Sequence, residues 1–159
     1  MEGEQICVVL GDNLIENNII AAKQAFEKQA KGAHILLKEV PDPERFGCPE
    51  ISNGRILSIE EKPKIPKSKY AVTGIYFYDA SVFEKIGRAK PSWRNELEIA
   101  DVNNMYLPEN TLSHSFLDGW WTDAGTFESR VRATNLVVKT GANKIPGCGA
   151  PPRHVRAAE

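Results

Sequence analysis

The chain has 159 residues, of which 42% are hydrophobic and 26% charged, with a formal net charge of -1. That length suits one domain with a proper core, and the balanced charge leaves no electrostatic surplus for holding nucleic acid or an anionic membrane. Cys7, Cys48 and Cys148 are odd in number and widely spaced, so neither a disulfide framework nor a zinc site is expected; reduced thiols and a cytoplasmic location are, since no apolar run approaches membrane-spanning length.

Ile6-Cys7-Val8-Val9-Leu10 is a short continuous apolar run stopped by Gly11, which predicts a strand buried on both faces of a mostly parallel sheet. Asp12 follows directly, at the carboxyl edge where open α/β sheets bind ligands, although Gly-Asp-Asn is also good turn chemistry by itself. From Ile15 to Ala30, Ile15, Ile19, Ala22 and Phe26 recur at helical spacing, and Gly32 can stop that helix. Residues 33–40 read as a second strand, and strand, helix, strand is the unit of an α/β fold with a right-handed crossover. Asn53-Gly54, flanked by Pro49-Glu50-Ile51 and Arg55-Ile56-Leu57-Ser58-Ile59, predicts a hairpin that delivers Glu61 and Lys62 to one end. Gly47 precedes it.

The segment from Ile59 to Asp79 dominates the reading. Leu57 to Ile59 is extended, Glu60-Glu61-Lys62 adds both signs of charge, and Pro63 and Pro66 stiffen the loop. Tyr70, Val72, Ile75, Tyr76, Phe77 and Tyr78 then supply the β-branched and aromatic bulk of a strand. Gly74 interrupts them, marking either a bulge or a close approach to the backbone. Farther on, Ser81 is placed to cap a helix over Val82–Ile86 ended by Gly87, and Glu96 to Leu107 predicts a helix closed by Pro108, in which Glu96 and Glu98 are structural first-turn acids. Residues 111–117 read as an edge strand and Trp120-Trp121 as a short one. A last helix is predicted over 126–139, with Phe127, Val131, Thr134 and Val138 on its packed face. After Thr140 the composition turns to Gly, Pro and Lys/Arg, which predicts a mobile tail over 140–159 behind a domain of 1–139.

Glu60-Glu61-Lys62-Pro63 followed by Tyr70-Ala71-Val72-Thr73-Gly74-Ile75-Tyr76-Phe77-Tyr78 resembles the sugar-phosphate loop and next strand of the sugar-1-phosphate nucleotidylyltransferases, especially the glucose-1-phosphate thymidylyltransferases. Gly11-Asp12-Asn13, Arg45-Phe46-Gly47, Glu96-Leu97-Glu98-Ile99 and Trp121-Thr122-Asp123-Ala124-Gly125-Thr126 resemble that family in the same order. The resemblance implies a Rossmann-like α/β fold with a mixed sheet flanked by helices, incomplete at its amino-terminal side. It also implies nucleotidyl transfer from a nucleoside triphosphate to a sugar 1-phosphate, glucose 1-phosphate foremost, with Mg2+ as cofactor. Asp12 and Asp123 are the implied metal ligands, and Lys62 and Arg94 the implied phosphate-holding cations. Gly47, Glu61, Val72, Gly74 and Tyr76 would contact or wall the sugar. Gly47 also reads as a plain turn glycine, Val72 as strand core and Glu61 and Lys62 as a solvated rim.

The glycine-rich triphosphate loop with which family members open has no counterpart before Asp12. The expectation is therefore a chain that carries the sugar-phosphate and metal half of the site. Its alternative is a non-catalytic binding or scaffolding subunit, or a truncated fragment. In either case a second copy or a partner chain would cover the open sheet edge.

Overall fold

The computed structural model describes residues 4–29, 31–92 and 94–145. In chain order the elements are β1 (Ile6–Val9), β2 (Asn13–Ile15), α1 (Ile20–Gln29), β3 (Ala33–Glu39), a 3-10 turn (Pro43–Arg45), β4 (Gly47–Ser52), β5 (Arg55–Glu61), β6 (Tyr70–Tyr78), α2 (Val82–Arg88), α3 (Ile99–Asn104), β7 (Leu112–Phe116), β8 (Trp121–Asp123) and α4 (Phe127–Thr140). A central sheet has the order β1-β6-β3-β7, beside which β2 and β8 form one antiparallel ribbon and β4 and β5 another.

The sheet is mixed. β1, β3 and β7 run in one direction and β6 runs against them, inserted between β1 and β3. The unit from β1 through α1 to β3 thus steps over one strand. β6 sits between two neighbours with both faces covered, which is why its apolar run is continuous. β3 sorts its side chains by alternation. Ala33, Ile35 and Leu37 face Val72, Tyr76 and Tyr78, Ile56 and Ile59 of the hairpin, and Val82, Ala100, Val102 and Tyr106. Leu36 joins Ala71, Ile75 and Phe77 on the opposite face, under Ala22 and Phe26 of α1, with Ile15, Leu117 and Trp121. Phe26 is 1% exposed, so burying it contributes about 2–3 kcal/mol.

Several sequence expectations change. β1 is an edge strand with one neighbour, and its side chains alternate between half-buried and exposed instead of being buried on both faces. Ile15 belongs to β2, paired with Trp121, so the first helix starts at Ile20; Ala30 lies outside the described residues. The helix expected over 96–107 is confined to α3, because Glu98 is extended (φ -97°, ψ 132°) and the Glu96 carbonyl accepts from the Ser92 N–H (2.8 Å) instead of entering a helix. Ser81 has helical dihedrals and makes no side-chain cap; its N–H and hydroxyl both donate to Asp79. α2 also runs through Gly87 to Arg88. α4 opens at Thr126 with a capping box to Ser129, yet Phe127, Val131 and Val138 are exposed while Ser129 and Ala133 are buried. The packed face of α4 is its small-residue face, which lets the helix lie close to β8.

The hairpin forms as expected, with Asn53 at φ 50° and Gly54 at φ 72°, the left-handed pair such a turn requires. Gly74 marks a bulge: from Leu37 to Ile35 β3 advances two residues, whereas β6 advances four, from Val72 to Tyr76. Within the bulge the Thr73 hydroxyl donates to the Leu36 carbonyl at 3.0 Å. Beyond Thr140 the chain is still held, since the N–H groups of Asn143 and Lys144 donate to the carbonyls of Ile15 and Glu16, both at 2.9 Å. Residues 146–159, including Cys148 and most of the expected tail, lie outside the described residues. Among those described, Cys7 is exposed and Cys48 buried, both free, and no helix is long and apolar enough to cross a membrane.

Candidate active site

A cavity of about 690 Å3 opens where β1, β5 and β8 end, over the bulged middle of β6. Asp12, Gly47, Glu61, Lys62, Val72, Gly74, Tyr76 and Asp123 all line it. Eight sequence-predicted residues from five separate segments thus meet in one space. Arg94 is the exception and lies outside the lining.

The wall that carries Asp12 and Asp123 is organised by Asn13. Its carbonyl oxygen accepts from the Gly74 N–H (3.0 Å) and from Trp121 Nε1 (2.7 Å), while its Nδ2 donates to Asp12 Oδ1 (2.9 Å). One side chain therefore ties β2, β6 and β8 together and orients a carboxylate. Asn13 is in register opposite Asp123, which sets the two acids side by side. A β-carbon built on Gly125 would lie 3.2 Å from Asp12 Oδ2 and 3.4 Å from Asp123 Oδ2, so both oxygens crowd the same point. Asp123 Oδ1 is buried with no hydrogen-bond partner, an unusual state for a carboxylate oxygen. Its nearest cations are Arg132 at 3.6 Å and, on the Oδ2 side, Arg45 at 3.9 Å. Among the described residues no group of three or more His, Cys, Asp or Glu could hold an ion, and the pair Asp12 and Asp123 offers two carboxylates. A hard cation that keeps water and phosphate oxygens as its remaining ligands fits such a pair; a fully protein-caged metal does not.

The opposite wall comes from the hairpin. Gly47 pairs with Glu61 across the β4–β5 ladder, and a β-carbon on Gly47 would lie 3.2 Å from Glu61 Oε2. Glycine here gives the Glu61 carboxylate room. Burial, then the charge of Glu98, raises the Glu61 pKa above its ordinary value, partly offset by Lys62 and Arg94. Lys62 adopts φ 46°, an uncommon backbone for a β-carbon-bearing residue, while its N–H still donates to the Phe46 carbonyl at 3.0 Å. Among the described residues its ammonium makes no ion pair. Arg94 does the reverse, pairing with Glu96 at 2.7 Å and with the buried Glu98 at 3.3 Å. Burial, then the neighbouring charges of Glu61 and Asp12, raises the Tyr76 pKa above its ordinary value.

Three wall residues were not singled out by sequence reasoning. Asn13 and Arg45 stood inside quoted motifs, but polar turn chemistry hid the role of one, and the other drew no attention beside Gly47. Arg45 pairs with Asp42 at 2.8 Å and lies over the Phe46 ring. Asn103, on α3, is 0% exposed yet lines the cavity, and no local pattern marks it. Four carboxylates (Asp12, Glu44, Glu61, Asp123) face the cavity against two cations (Arg45, Lys62). A phosphate therefore enters favourably only beside Lys62 or together with a metal cation.

A family profile described as nucleotidyl transferase matches residues 1–140. The glucose-1-phosphate thymidylyltransferase of Neisseria meningitidis is 46% identical over 139 residues, covering 84% of this chain and 48% of that protein. The enzyme of the same name from an Actinoplanes species is 39% identical, covering 86% and 46%. A Bacillus anthracis crystal structure with a sucrose, provisionally named a glucose-1-phosphate thymidylyltransferase, superposes with a TM-score of 0.80 at 50% identity, covering 86% of this chain and 56% of that one. A UDP-glucose pyrophosphorylase solved with UDP-glucose shares the fold, with a TM-score of 0.75 at 22% identity. The chain spans about half the length of the curated relatives it matches. With the profile running across both carboxylates, the hairpin and β6, the chain belongs to the nucleotidyl transferase family.

Proposed function

We propose that this chain carries the sugar-phosphate and metal half of a site that transfers a nucleotidyl group from a nucleoside triphosphate to a sugar 1-phosphate, with glucose 1-phosphate as the acceptor. The observation supporting this reading most strongly is the convergence of Asp12, Asp123, Glu61 and Lys62 on one cavity. In this reaction an oxygen of the sugar phosphate attacks the α-phosphorus of the triphosphate. A new P–O bond forms, the α–β bridging bond breaks, and pyrophosphate leaves with its electron pair. The nucleophile is already ionised at neutral pH, so no strong base is required, and positioning and charge dominate the barrier.

Lys62, unpaired among the described residues, holds the phosphate of the acceptor as a point charge. Glu61 accepts from sugar hydroxyls, in a space kept open by Gly47; Val72, Gly74 and Tyr76 wall the ring. Arg94 reaches the same phosphate only by exchanging Glu96 for it, so its role is to complete the phosphate clamp on binding. Asp12 and Asp123 would hold Mg2+, for which Asp123 Oδ1, free of any hydrogen bond among the described residues, is a ready ligand. When bound, that ion relieves repulsion between the two phosphates.

We assign residues 1–139 to the carboxyl-side part of the catalytic domain; of the tail expected over 140–159, Thr140 ends α4 and Asn143 and Lys144 are bound to that domain. A second copy or a partner chain is proposed to cover the free edge of β1, where Val9 and Leu10 are 52% and 45% exposed. Sedimentation supports this if the apparent mass rises with concentration. Spanning half of its relatives, the chain also suits the rival reading, a binding subunit without turnover. Pyrophosphate release from a nucleoside triphosphate and glucose 1-phosphate, with and without Mg2+, separates the two. Turnover dependent on Mg2+ supports the enzyme reading, and binding without turnover supports the subunit.

A further inference from the structure

We infer that Asn103 is a specificity-determining residue of the sugar pocket, its side-chain NH2 donating a hydrogen bond to the oxygen of one ring hydroxyl. The inference rests on the sugar-phosphate reading above and goes beyond it, because it names which hydroxyl chemistry the pocket selects.

Asn103 is 0% exposed, and its Nδ2 has no hydrogen-bond partner, although native proteins pair nearly all such groups. It also lines the cavity. Its Oδ1 accepts from the Tyr78 hydroxyl at 2.7 Å, the orientation that leaves Nδ2 as the free donor. With the acceptor end of the amide engaged by Tyr78, the donor end remains for a ligand. The neighbouring Asn104 fixes the position of α3. It accepts from the Ile59 N–H at 2.8 Å and donates to the Ile59 carbonyl at 2.7 Å. α3 is thereby clamped to β5 two residues before Glu61, so Asn103 and Glu61 belong to elements locked together around the same cavity.

The two side chains make complementary demands. Glu61 as a carboxylate takes a proton from a hydrogen bond, and Asn103 gives one. A sugar hydroxyl can answer both. A deoxy carbon answers neither, and a C–F group, which accepts weakly and cannot donate, answers only Asn103. The pocket is thus built for a hydroxylated sugar phosphate and against its deoxy counterpart, because rejection is strong where a buried polar group would be left unpaired.

The test is calorimetric titration of the unmodified chain and of Asn103→Ala with glucose 1-phosphate and with analogues that carry hydrogen or fluorine in place of each ring hydroxyl in turn. At one ring position the deoxy analogue should bind the unmodified chain about 5–30-fold more weakly than glucose 1-phosphate, with fluorine restoring part of the loss. Asn103→Ala should bind glucose 1-phosphate more weakly than the unmodified chain does, but less weakly than the unmodified chain binds that deoxy analogue, because Glu61 still accepts from the hydroxyl, and it should no longer gain from fluorine as an acceptor there. Unchanged affinity in Asn103→Ala overturns the inference. If that variant does not fold, the analogues on the unmodified chain decide: equal binding of fluoro and deoxy forms at every position also overturns it. An unmodified chain that binds none of these sugar phosphates overturns the sugar-phosphate reading itself, a result distinct from binding without discrimination.

Discussion

The side-chain amide of Asn13 occupies the space that a β-carbon on Gly74 would need: that carbon would lie 2.5 Å from Asn13 Nδ2 and 2.8 Å from Asn13 Cγ. The glycine bulge of β6 thus exists to admit another protein side chain, and through it to orient Asp12. Gly74→Ala should destabilise the chain by about 1–3 kcal/mol, since the neighbour to be displaced is itself held by Gly74 and Trp121. Urea unfolding measures this. A variant as stable as the unmodified chain would mean that Asn13 is free to move.

Lys62→Ala and Arg94→Ala should differ. Lys62 is exposed and without an ion pair among the described residues, so its loss should leave the melting temperature nearly unchanged while weakening glucose 1-phosphate binding about tenfold. Sequence reasoning grouped Arg94 with it as a phosphate-holding cation. In the fold Arg94 neutralises Glu98, which is 8% exposed, so Arg94→Ala leaves a buried carboxylate short of its partner. A stability loss of about 2 kcal/mol or more is expected from thermal unfolding at neutral pH.

Asp12→Asn and Asp123→Asn should each abolish most of any rise in melting temperature that Mg2+ produces in the unmodified chain. An ion present at about a hundred times its Kd stabilises by about 2.7 kcal/mol, which differential scanning fluorimetry resolves. An undiminished magnesium response in both variants would place the ion elsewhere.

What could be read from the sequence divides by the range of the interaction. Asn53-Gly54 announced its hairpin because a two-residue turn is a local problem, and Gly11-Asp12 announced a strand end for the same reason. The edge position of β1 could not be read, because it depends on β6 being inserted between β1 and β3, and the β1–β6 partners, from Val9–Ile75 to Ile6–Tyr78, lie 66 to 72 residues apart. Periodicity favoured the Phe127–Val131–Val138 face of α4, but close packing on β8 selected the small residues Ser129 and Ala133. At the candidate site, the eight lining residues carried by motifs with a family resemblance were legible, whereas Asn13, Arg45 and Asn103 were not. Asn13 and Asn103 act through contacts made only in the folded chain.

His34 supplies a pH dependence. Buried between the hydroxyls of Ser113 (2.6 Å) and Ser115 (2.9 Å), it has its pKa lowered to about 4 by burial and then by His114. The folded state therefore favours the neutral ring. Its stabilisation is complete above the ordinary histidine value of 6.5 and is lost as pH falls through about 4. Between those limits the unmodified chain should lose about 1–3 kcal/mol more than a His34→Asn variant, measured by urea unfolding at a series of pH values. Parallel profiles would show that His34 does not titrate on unfolding.

The central claim is that the cavity between the hairpin, β6 and β8 binds a sugar 1-phosphate. Calorimetric titration of the unmodified chain with glucose 1-phosphate tests it most directly. Saturable heat is predicted, weakened about tenfold in Lys62→Ala and competed by inorganic phosphate only at higher concentration. No heat at millimolar ligand, with the chain shown to be folded, would contradict the account and leave only the fold.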